Sequence, residues 1–354
     1  MTIFLINVFQ EILADLASTG VIAVIIILFA FLKFSGIRHR VVNKLFPRRP
    51  DKRVIVVETI PSDFNCKINK PSFVLPIAEH ERDILVKFYS FLNDSHPHNG
   101  RVVRLEKLYP NIEVSEVGFF DLLATNMTVY PSNIRIKGLY KQLIALFKWI
   151  WIYPLWHRVA SKSMTNGYNF KDIDEIIKNK YMANVIAVSV LLVDKNGNIG
   201  LVRRKDGLAI ESGSYAATSS GTLSVDDLNF ANPFIHAAQR ELKEEVGLEA
   251  ELILDGIVFP LQKMQPVFIY SGRLTKTWKE LLPDIQKSRD YDKEISKIIT
   301  ININNPSAII KFLTENSLTD VTAYHLWLLA VKKNTMKLMI NKWKYAWVFN
   351  LFSI

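Results

Sequence analysis

Three glutamates lie close together in the sequence, at a spacing that places them on one face of a helix. Glu241, Glu244 and Glu245 occupy positions i, i+3 and i+4, and residues at this spacing are neighbours on a helix surface. Carboxylates that share a face repel one another unless a cation lies among them. Their hard oxygen atoms suit Mg²⁺ or Mn²⁺ bound together with substrate phosphates. The cluster therefore indicates either a divalent-metal site or a solvated acidic helix face.

The helix that carries these glutamates is bounded by its own sequence. Asn232 suits the N-cap, Pro233 the first helical position and Gly247 the C-terminal exit. Arg240 precedes Glu244 by one helical turn, so it is spaced to pair with that side chain and fix its direction. One side of the helix is apolar, with Phe234, Ala237, Ala238, Leu242 and Val246. The pattern predicts a helix over 233–246.

Residues 240–248, Arg-Glu-Leu-Lys-Glu-Glu-Val-Gly-Leu, resemble the second half of the Nudix box, R-E-U-x-E-E-x-G-U with U apolar. Every specified position is filled. The resemblance implies an α/β/α sandwich with a mixed sheet over residues 181–331, and hydrolysis of a nucleoside-diphosphate-linked substrate. It further implies that Glu241, Glu244 and Glu245 bind Mg²⁺ or Mn²⁺ and that Arg240 belongs to the catalytic box.

The first half of the box departs from the family pattern. The two positions at which the family has Gly and then Glu, upstream of the arginine, hold Asp226 and Asn232 in this chain. Gly221 lies farther from Arg240 than the family glycine does, so an insertion within 222–227 is the simplest explanation. By the resemblance, Gly221 would offer its backbone carbonyl to the metal. Asp226 or Asp227 would replace the glutamate that supports the arginine.

Three residues outside the box are further candidates. Some Nudix enzymes take a base from a loop beyond the box, and Glu294 in the segment 290–294 is the candidate for that role. Its alternative role is a loop salt bridge. Arg203 and Arg204 end a predicted strand near the box, where they would bind phosphate or simply contribute surface charge.

The elements around the box have the order that such a sandwich requires. Hydrophobic patterning predicts strands at 183–193, 199–203, 214–219 and 266–274, and a closing helix at 319–331. Together with the helix that carries the box, they would build a sheet covered by helices.

The preceding residues, 54–180, predict a smaller α+β accessory domain. A strand at 53–57, a helix at 84–92 and a strand at 101–105 are the clearest signals. Residue types alone assign no chemistry to this region. The basic, aromatic tail at 332–354 would lie on a membrane surface or pack on the body.

Charge is concentrated near the N-terminus. Of the formal net charge of +10, residues 1–32 carry −2 and residues 33–53 carry +7. The stretch between Asp15 and Lys33 is uncharged, which predicts one transmembrane helix within 1–36; a buried helix of a soluble domain is the alternative. Because the positive residues follow the span, the basic segment 37–53 and the body should be cytoplasmic, with the N-terminus outside.

Composition excludes several classes of protein. Hydrophobic residues make up 49% and charged residues 22% of the 354 residues, which excludes wholesale disorder. The single cysteine, Cys66, excludes a disulfide scaffold and a cysteine-rich zinc site. Nucleic-acid binding is not favoured, since membrane topology accounts for the strongest basic block.

The layout of span, accessory domain and Nudix domain resembles membrane-tethered Nudix effectors of bacterial antiphage systems that signal with cyclic oligonucleotides. The resemblance implies a single-pass protein of the bacterial inner membrane with a role in antiviral defence. The implied partners are membrane lipids, a nucleotide or nucleoside-diphosphate derivative, a cyclic oligonucleotide and a second copy of the chain. Two alternatives to an enzyme remain open: a Nudix-like module that senses a nucleotide without turnover, and an anchored scaffold with a vestigial box.

Overall fold

The computed structural model describes residues 54–57, 66–68, 72–127, 144–145, 148, 151–159, 173–208, 211, 213–261 and 263–340. All of them belong to one compact unit that runs from Arg49 to Ile354. The predicted membrane helix, the basic segment at 37–53 and the tail beyond 340 lie outside the described residues. The domain boundaries at 180 and 331 stay predictions.

Eight of the strands in the described part of the chain form one mixed sheet. The strands are β1 (Val54–Val56), β2 (Cys66–Ile68), β3 (Arg101–Lys107), β4 (Ile112–Gly118), β5 (Ala187–Val193), β6 (Asn198–Arg204), β7 (Tyr215–Ala216), β8 (Ser219–Thr222), β9 (Leu252–Pro260), β10 (Val267–Arg273) and β11 (Ile295–Asn302). The large sheet has the order β1-β9-β10-β5-β6-β11, with β7 beside β6 and β8 beside β5. Strands β5 and β10 run parallel.

The described helices cover both faces of this sheet or pack beside β3 and β4. They are α1 (Glu79–Asn93), α2 (Phe119–Ala124), α3 (Ile173–Ile177), α4 (Pro233–Val246), α5 (Trp278–Ile285), α6 (Tyr291–Glu294), α7 (Pro306–Glu315) and α8 (Asp320–Ile340), and residues 151–159 are also helical. The bounds predicted for α4 are confirmed. Helix α8 begins as predicted but continues beyond 331.

Strand β5 shows why the sheet is covered on both faces, since all seven of its residues are buried. Side chains alternate between the faces of a strand. Val188 and Val190 lie in one core with Phe234 of α4, whereas Leu191 packs with Leu326 of α8 in another core. The sheet therefore lies between helical layers, and the predicted α/β class is confirmed.

The strand predicted at 214–219 is divided into β7 and β8. Strands β5 and β6 are paired at Val193 and Ile199, next to their turn. Farther from the turn, β7 pairs with β6 and β8 pairs with β5. At the crossing point, the Thr218 hydroxyl donates to the Gly200 carbonyl at 2.7 Å and accepts from the Leu192 amide at 3.0 Å. This crossing carries β8 to the position beneath α4.

A second sheet of the described residues has the order β2-β4-β3 and joins the large sheet through backbone hydrogen bonds. The Val103 amide donates to the Leu223 carbonyl at 3.0 Å, and the Ile186 amide donates to the Val103 carbonyl at 2.9 Å. Strand β1 pairs directly with β9 in the large sheet. Residues before position 180 thus form backbone hydrogen bonds with β9 and with the residues that flank β5 and β8.

Among the helices of the described ranges, none combines the length and the apolar character that crossing a bilayer requires.

Candidate active site

Helix α4 presents its carboxylates to β8 because its caps and its apolar side fix its position. The Asn232 side chain accepts a hydrogen bond from the Ile235 amide at 3.2 Å. Gly247 ends the helix with φ of 65°, a conformation that glycine adopts without the strain a Cβ atom brings, so the sequence favours the exit at this position. The apolar side is fully buried against the sheet, with Phe234, Ala237, Ala238, Leu242 and Val246.

Gly221 of β8 lies directly against the Glu241 carboxylate. A Cβ atom built on Gly221 would lie 2.0 Å from Glu241 Cδ, which is far too short for a non-bonded contact. Burial raises the pKa of Glu241 to about 7; Arg240 opposes the shift, and Glu244 and Glu294 add to it. Because residue 221 has no side chain, the Glu241 carboxylate fits at a buried position where its charged form is disfavoured.

Glu245 is the most deeply buried of the three glutamates, with 3% of its surface exposed. Its Oε2 accepts a hydrogen bond from the Ser220 amide at 3.2 Å. Burial raises the pKa of Glu245 well above its ordinary value, and Glu294 and Glu241 raise it further, while Arg204 opposes them. A charged Glu245 thus needs more positive charge than its surroundings supply.

Glu244 is partly exposed and is held by two arginines. Its Oε2 lies 3.4 Å from Arg240 Nη1 and 2.9 Å from Arg289 Nη2. The predicted pairing with Arg240 is confirmed. The sequence analysis did not include Arg289, and its position directly before the loop of Glu294 was the signal that could have found it.

Asp227 is the aspartate that pairs with Arg240. It accepts hydrogen bonds from Arg240 Nε at 3.1 Å and Nη2 at 2.9 Å, and from the Ser224 amide at 2.8 Å. Burial acts to raise the pKa of Asp227, but the hydrogen bonds from Arg240 and Ser224 outweigh it and hold that pKa below its usual value. Asp226 is exposed. Of the two aspartates that the sequence left open, Asp227 supports the arginine.

The Asp227→Asn variant is expected to destabilise the fold by about 1–3 kcal/mol, since a buried charge-assisted pair loses one charge. Arg240 would then hold Glu241 and Glu244 less firmly. Urea unfolding measures the loss of stability. Asp226→Asn is the matched control, and equal losses in both variants would contradict the role of Asp227.

Glu294 lies within electrostatic range of the box glutamates. Its Oε2 is 3.5 Å from Arg204 Nη2, and its charge raises the pKa values of Glu241 and Glu245. Its backbone carbonyl accepts from the Lys205 amide at 2.8 Å, which ties it to the end of β6. The structure thus brings Glu294 and Arg204 to the glutamates.

Arg203 lies apart from this cluster. Val202 belongs to the core on the α4 side of the sheet, so alternation along β6 turns Arg204 to the α4 side and Arg203 to the other side. The Arg203 side chain is exposed. The two neighbouring arginines therefore have different surroundings, and only Arg204 faces the box.

The donor set fits a hard divalent cation, although the carboxylates are engaged with arginines. In the described ranges, no three His, Cys, Asp or Glu side chains are arranged to hold a metal ion as they stand. Arg240 pairs with Glu241 at 2.8 Å and Arg289 pairs with Glu244. The buried, mutually repelling carboxylates beside Gly221 are nevertheless the chemistry that Mg²⁺ or Mn²⁺ prefers.

Comparisons with known proteins give matches in solved structures alone. No family model matches the chain, and no curated protein matches it. The MutT protein of Methanosarcina mazei is similar at 19% identity over 42% of this chain and 94% of its own, with a TM-score of 0.31. A hydrolase of the Nudix family from Clostridium perfringens is similar at 13% identity over 42% and 96%, with a TM-score of 0.29.

A Deinococcus radiodurans protein is similar at 15% identity over 40% of this chain and 81% of its own, with a TM-score of 0.32. Nudix hydrolases are thus among the solved structures that this chain resembles.

Proposed function

We propose that the protein is a Mg²⁺- or Mn²⁺-dependent hydrolase of the Nudix type that cleaves a nucleoside-diphosphate-linked substrate. One observation carries the proposal: the Glu241 and Glu245 carboxylates are buried together against Gly221 and Ser220, and their pKa values are raised. Burying like charges in this way costs several kcal/mol. Binding of a divalent cation by Glu241 and Glu245 would offset that cost.

A solvated acidic helix face does not explain the cluster. Such a face would have exposed carboxylates with ordinary pKa values, as surface groups do. Glu245 instead is almost fully buried, and burial is the main cause of its raised pKa. A vestigial box is disfavoured for the same reason, since these glutamates destabilise the metal-free fold.

Each residue of the cluster has a distinct role in the proposed reaction. Glu241, Glu244, Glu245 and the Gly221 carbonyl would hold the cation, whose chemistry is neutralisation of phosphate charge and acidification of water. Glu294 would accept the proton of the attacking water. Arg204, beside Glu294, would bind a phosphate oxygen of the substrate. Arg240, fixed by Asp227, positions the glutamates.

The test uses the full chain in detergent or nanodiscs with ADP-ribose, NAD and nucleotide sugars as substrates. We expect release of a mononucleotide that requires Mg²⁺ or Mn²⁺ and is abolished by EDTA. Glu244→Gln should reduce the rate by about 10²-fold or more, whereas the exposed Glu249→Gln should not. Metal-independent rates, or no turnover across the panel, would overturn the proposal. Tight nucleotide binding without turnover would instead favour the sensing module.

Anchoring at the inner membrane, self-association and a role in antiphage signalling with cyclic oligonucleotides are also part of the proposal. Their support is the uncharged stretch between Asp15 and Lys33, the basic segment that follows it and the order of the domains. Recovery of the chain in the soluble fraction after cell lysis would count against the anchor.

A further inference from the structure

Arg289 is an exposed arginine at the rim of the carboxylate cluster. Its Nη2 lies 2.9 Å from Glu244 Oε2, its Nε lies 2.8 Å from Asp290 Oδ2, and 64% of its side chain is exposed. It lies in the short segment between α5 and α6. The guanidinium of Arg289 is therefore accessible to solvent while it is paired with Glu244.

The two arginines on Glu244 are held very differently. Arg240 is tied to Asp227 through Nε and Nη2, and its Nη2 also donates to the Thr222 carbonyl at 3.1 Å. Arg289 forms its ion pairs with Glu244 and the neighbouring Asp290. When a competitor takes the Glu244 oxygen, Arg289 is the arginine that can move away.

The backbone around Arg289 is fixed even though its side chain is exposed. The Ser288 hydroxyl donates to the Glu245 carbonyl at 2.6 Å, and the Asp290 amide donates to the Glu244 carbonyl at 3.1 Å. Both bonds anchor the segment to the last turn of α4. A released Arg289 side chain would therefore remain beside the carboxylate cluster and would not drift away with its loop.

A divalent cation bound by Glu244 would compete with Arg289 for the same oxygen. A cation bound at Glu244 would repel the guanidinium, which would then be free to pair with the anionic diphosphate of a substrate. A planar guanidinium binds phosphate oxygens through two parallel hydrogen bonds. We propose that Arg289 is an exchangeable counter-ion: it pairs with Glu244 in the metal-free protein and binds a substrate phosphate when the cation is present.

This inference rests on the proposed function, because it assumes a cation on Glu244. It assigns substrate recognition to a residue outside the box, and it accounts for an arginine that occupies a metal-ligand oxygen. A purely structural ion pair would have a different consequence: its loss would weaken metal and nucleotide binding together, through disorder of the loop.

The Arg289→Gln variant of the full chain separates these two roles. In calorimetric titrations without nucleotide, Mg²⁺ affinity should rise up to about fivefold, the value of an exposed ion pair. With Mg²⁺ present, affinity for the non-hydrolysable probe α,β-methylene-ADP should fall about tenfold or more, the value of a charge-assisted hydrogen bond. Arg289→Lys should recover part of the probe affinity.

Lys287→Gln is the matched control, since Lys287 lies in the same segment, is 77% exposed and pairs with Asp284. It should change neither affinity. If Arg289→Gln leaves the affinities for Mg²⁺ and for the probe unchanged, or lowers both, the proposed exchange of Arg289 is wrong. The proposed function would still hold in that case, provided that the wild type hydrolyses its substrate. A wild type that binds no Mg²⁺ overturns both.

Discussion

Replacing Glu245 by glutamine is expected to abolish metal-dependent hydrolysis while stabilising the metal-free protein. The variant loses a buried cation ligand, which is worth several kcal/mol of transition-state stabilisation and therefore about 10³-fold in rate. The amide keeps an oxygen for the Ser220 amide, which lies 3.2 Å from Glu245 Oε2, and it removes a buried charge. The gain in the free energy of unfolding should be about 1 kcal/mol or more.

The pH dependence of stability provides a second readout for this variant. The ordinary carboxyl pKa of 4.5 rises to about 7 at Glu241 in the folded protein, so the folded state binds protons more tightly than the unfolded chain. The metal-free wild type should therefore lose stability as pH rises from about 4.5 through 7. Because the pKa of Glu245 is also raised in the folded protein, Glu245→Gln should lose less stability than the wild type over this pH range.

Urea unfolding in EDTA across this pH range measures the effect, and rates with Mg²⁺ measure the loss of activity. Glu249→Gln is the control, because Glu249 is an exposed glutamate that pairs with Lys243 at 2.9 Å. A Glu245→Gln protein that is less stable than wild type at high pH, or that retains full activity, would contradict the assignment of Glu245 as a cation ligand.

Local signals predicted the bounds and caps of α4 correctly, because the information lies within about 16 consecutive residues. Asn232, Pro233 and Gly247 act on backbone next to themselves, so their roles do not depend on the rest of the fold. The choice between Asp226 and Asp227 was different. It depends on a short turn at Val225–Asn229 that points one aspartate inward and the other to solvent.

The pairing of strands that are far apart in the chain could not be predicted from the sequence. The strand at Val54–Val56 could be predicted from its residues, but its partner β9 lies far along the chain, beyond α4. The same limit applies to Arg203 and Arg204: alternation separates their side chains, but the sequence does not say which strand face carries α4. Arg289 is one of 44 lysines and arginines, and only the packed fold brings it to Glu244.

Replacing Gly221 by alanine is the second change with a large expected effect. A methyl group at 221 would occupy the space of the Glu241 carboxylate, 2.0 Å from its Cδ and 2.1 Å from one oxygen. Because Glu241 is also held by Arg240 at 2.8 Å, it cannot turn aside without breaking that pair. We expect a loss of about 1–3 kcal/mol in stability from overpacking and a fall of about 10²-fold in hydrolysis.

Gly256→Ala is the control that separates crowding at Glu241 from the general effect of replacing a strand glycine. A Cβ at Gly256 would meet the Ile269 side chain at 3.8 Å, an ordinary contact, so Gly256→Ala should fold and retain activity. The double variant Gly221→Ala/Glu241→Asp shortens the carboxylate that the methyl group displaces. It should regain stability relative to Gly221→Ala without regaining Mg²⁺ affinity, since neighbouring substitutions are not additive. Additive losses would show that Gly221 and Glu241 act separately, and the metal site would then need other ligands.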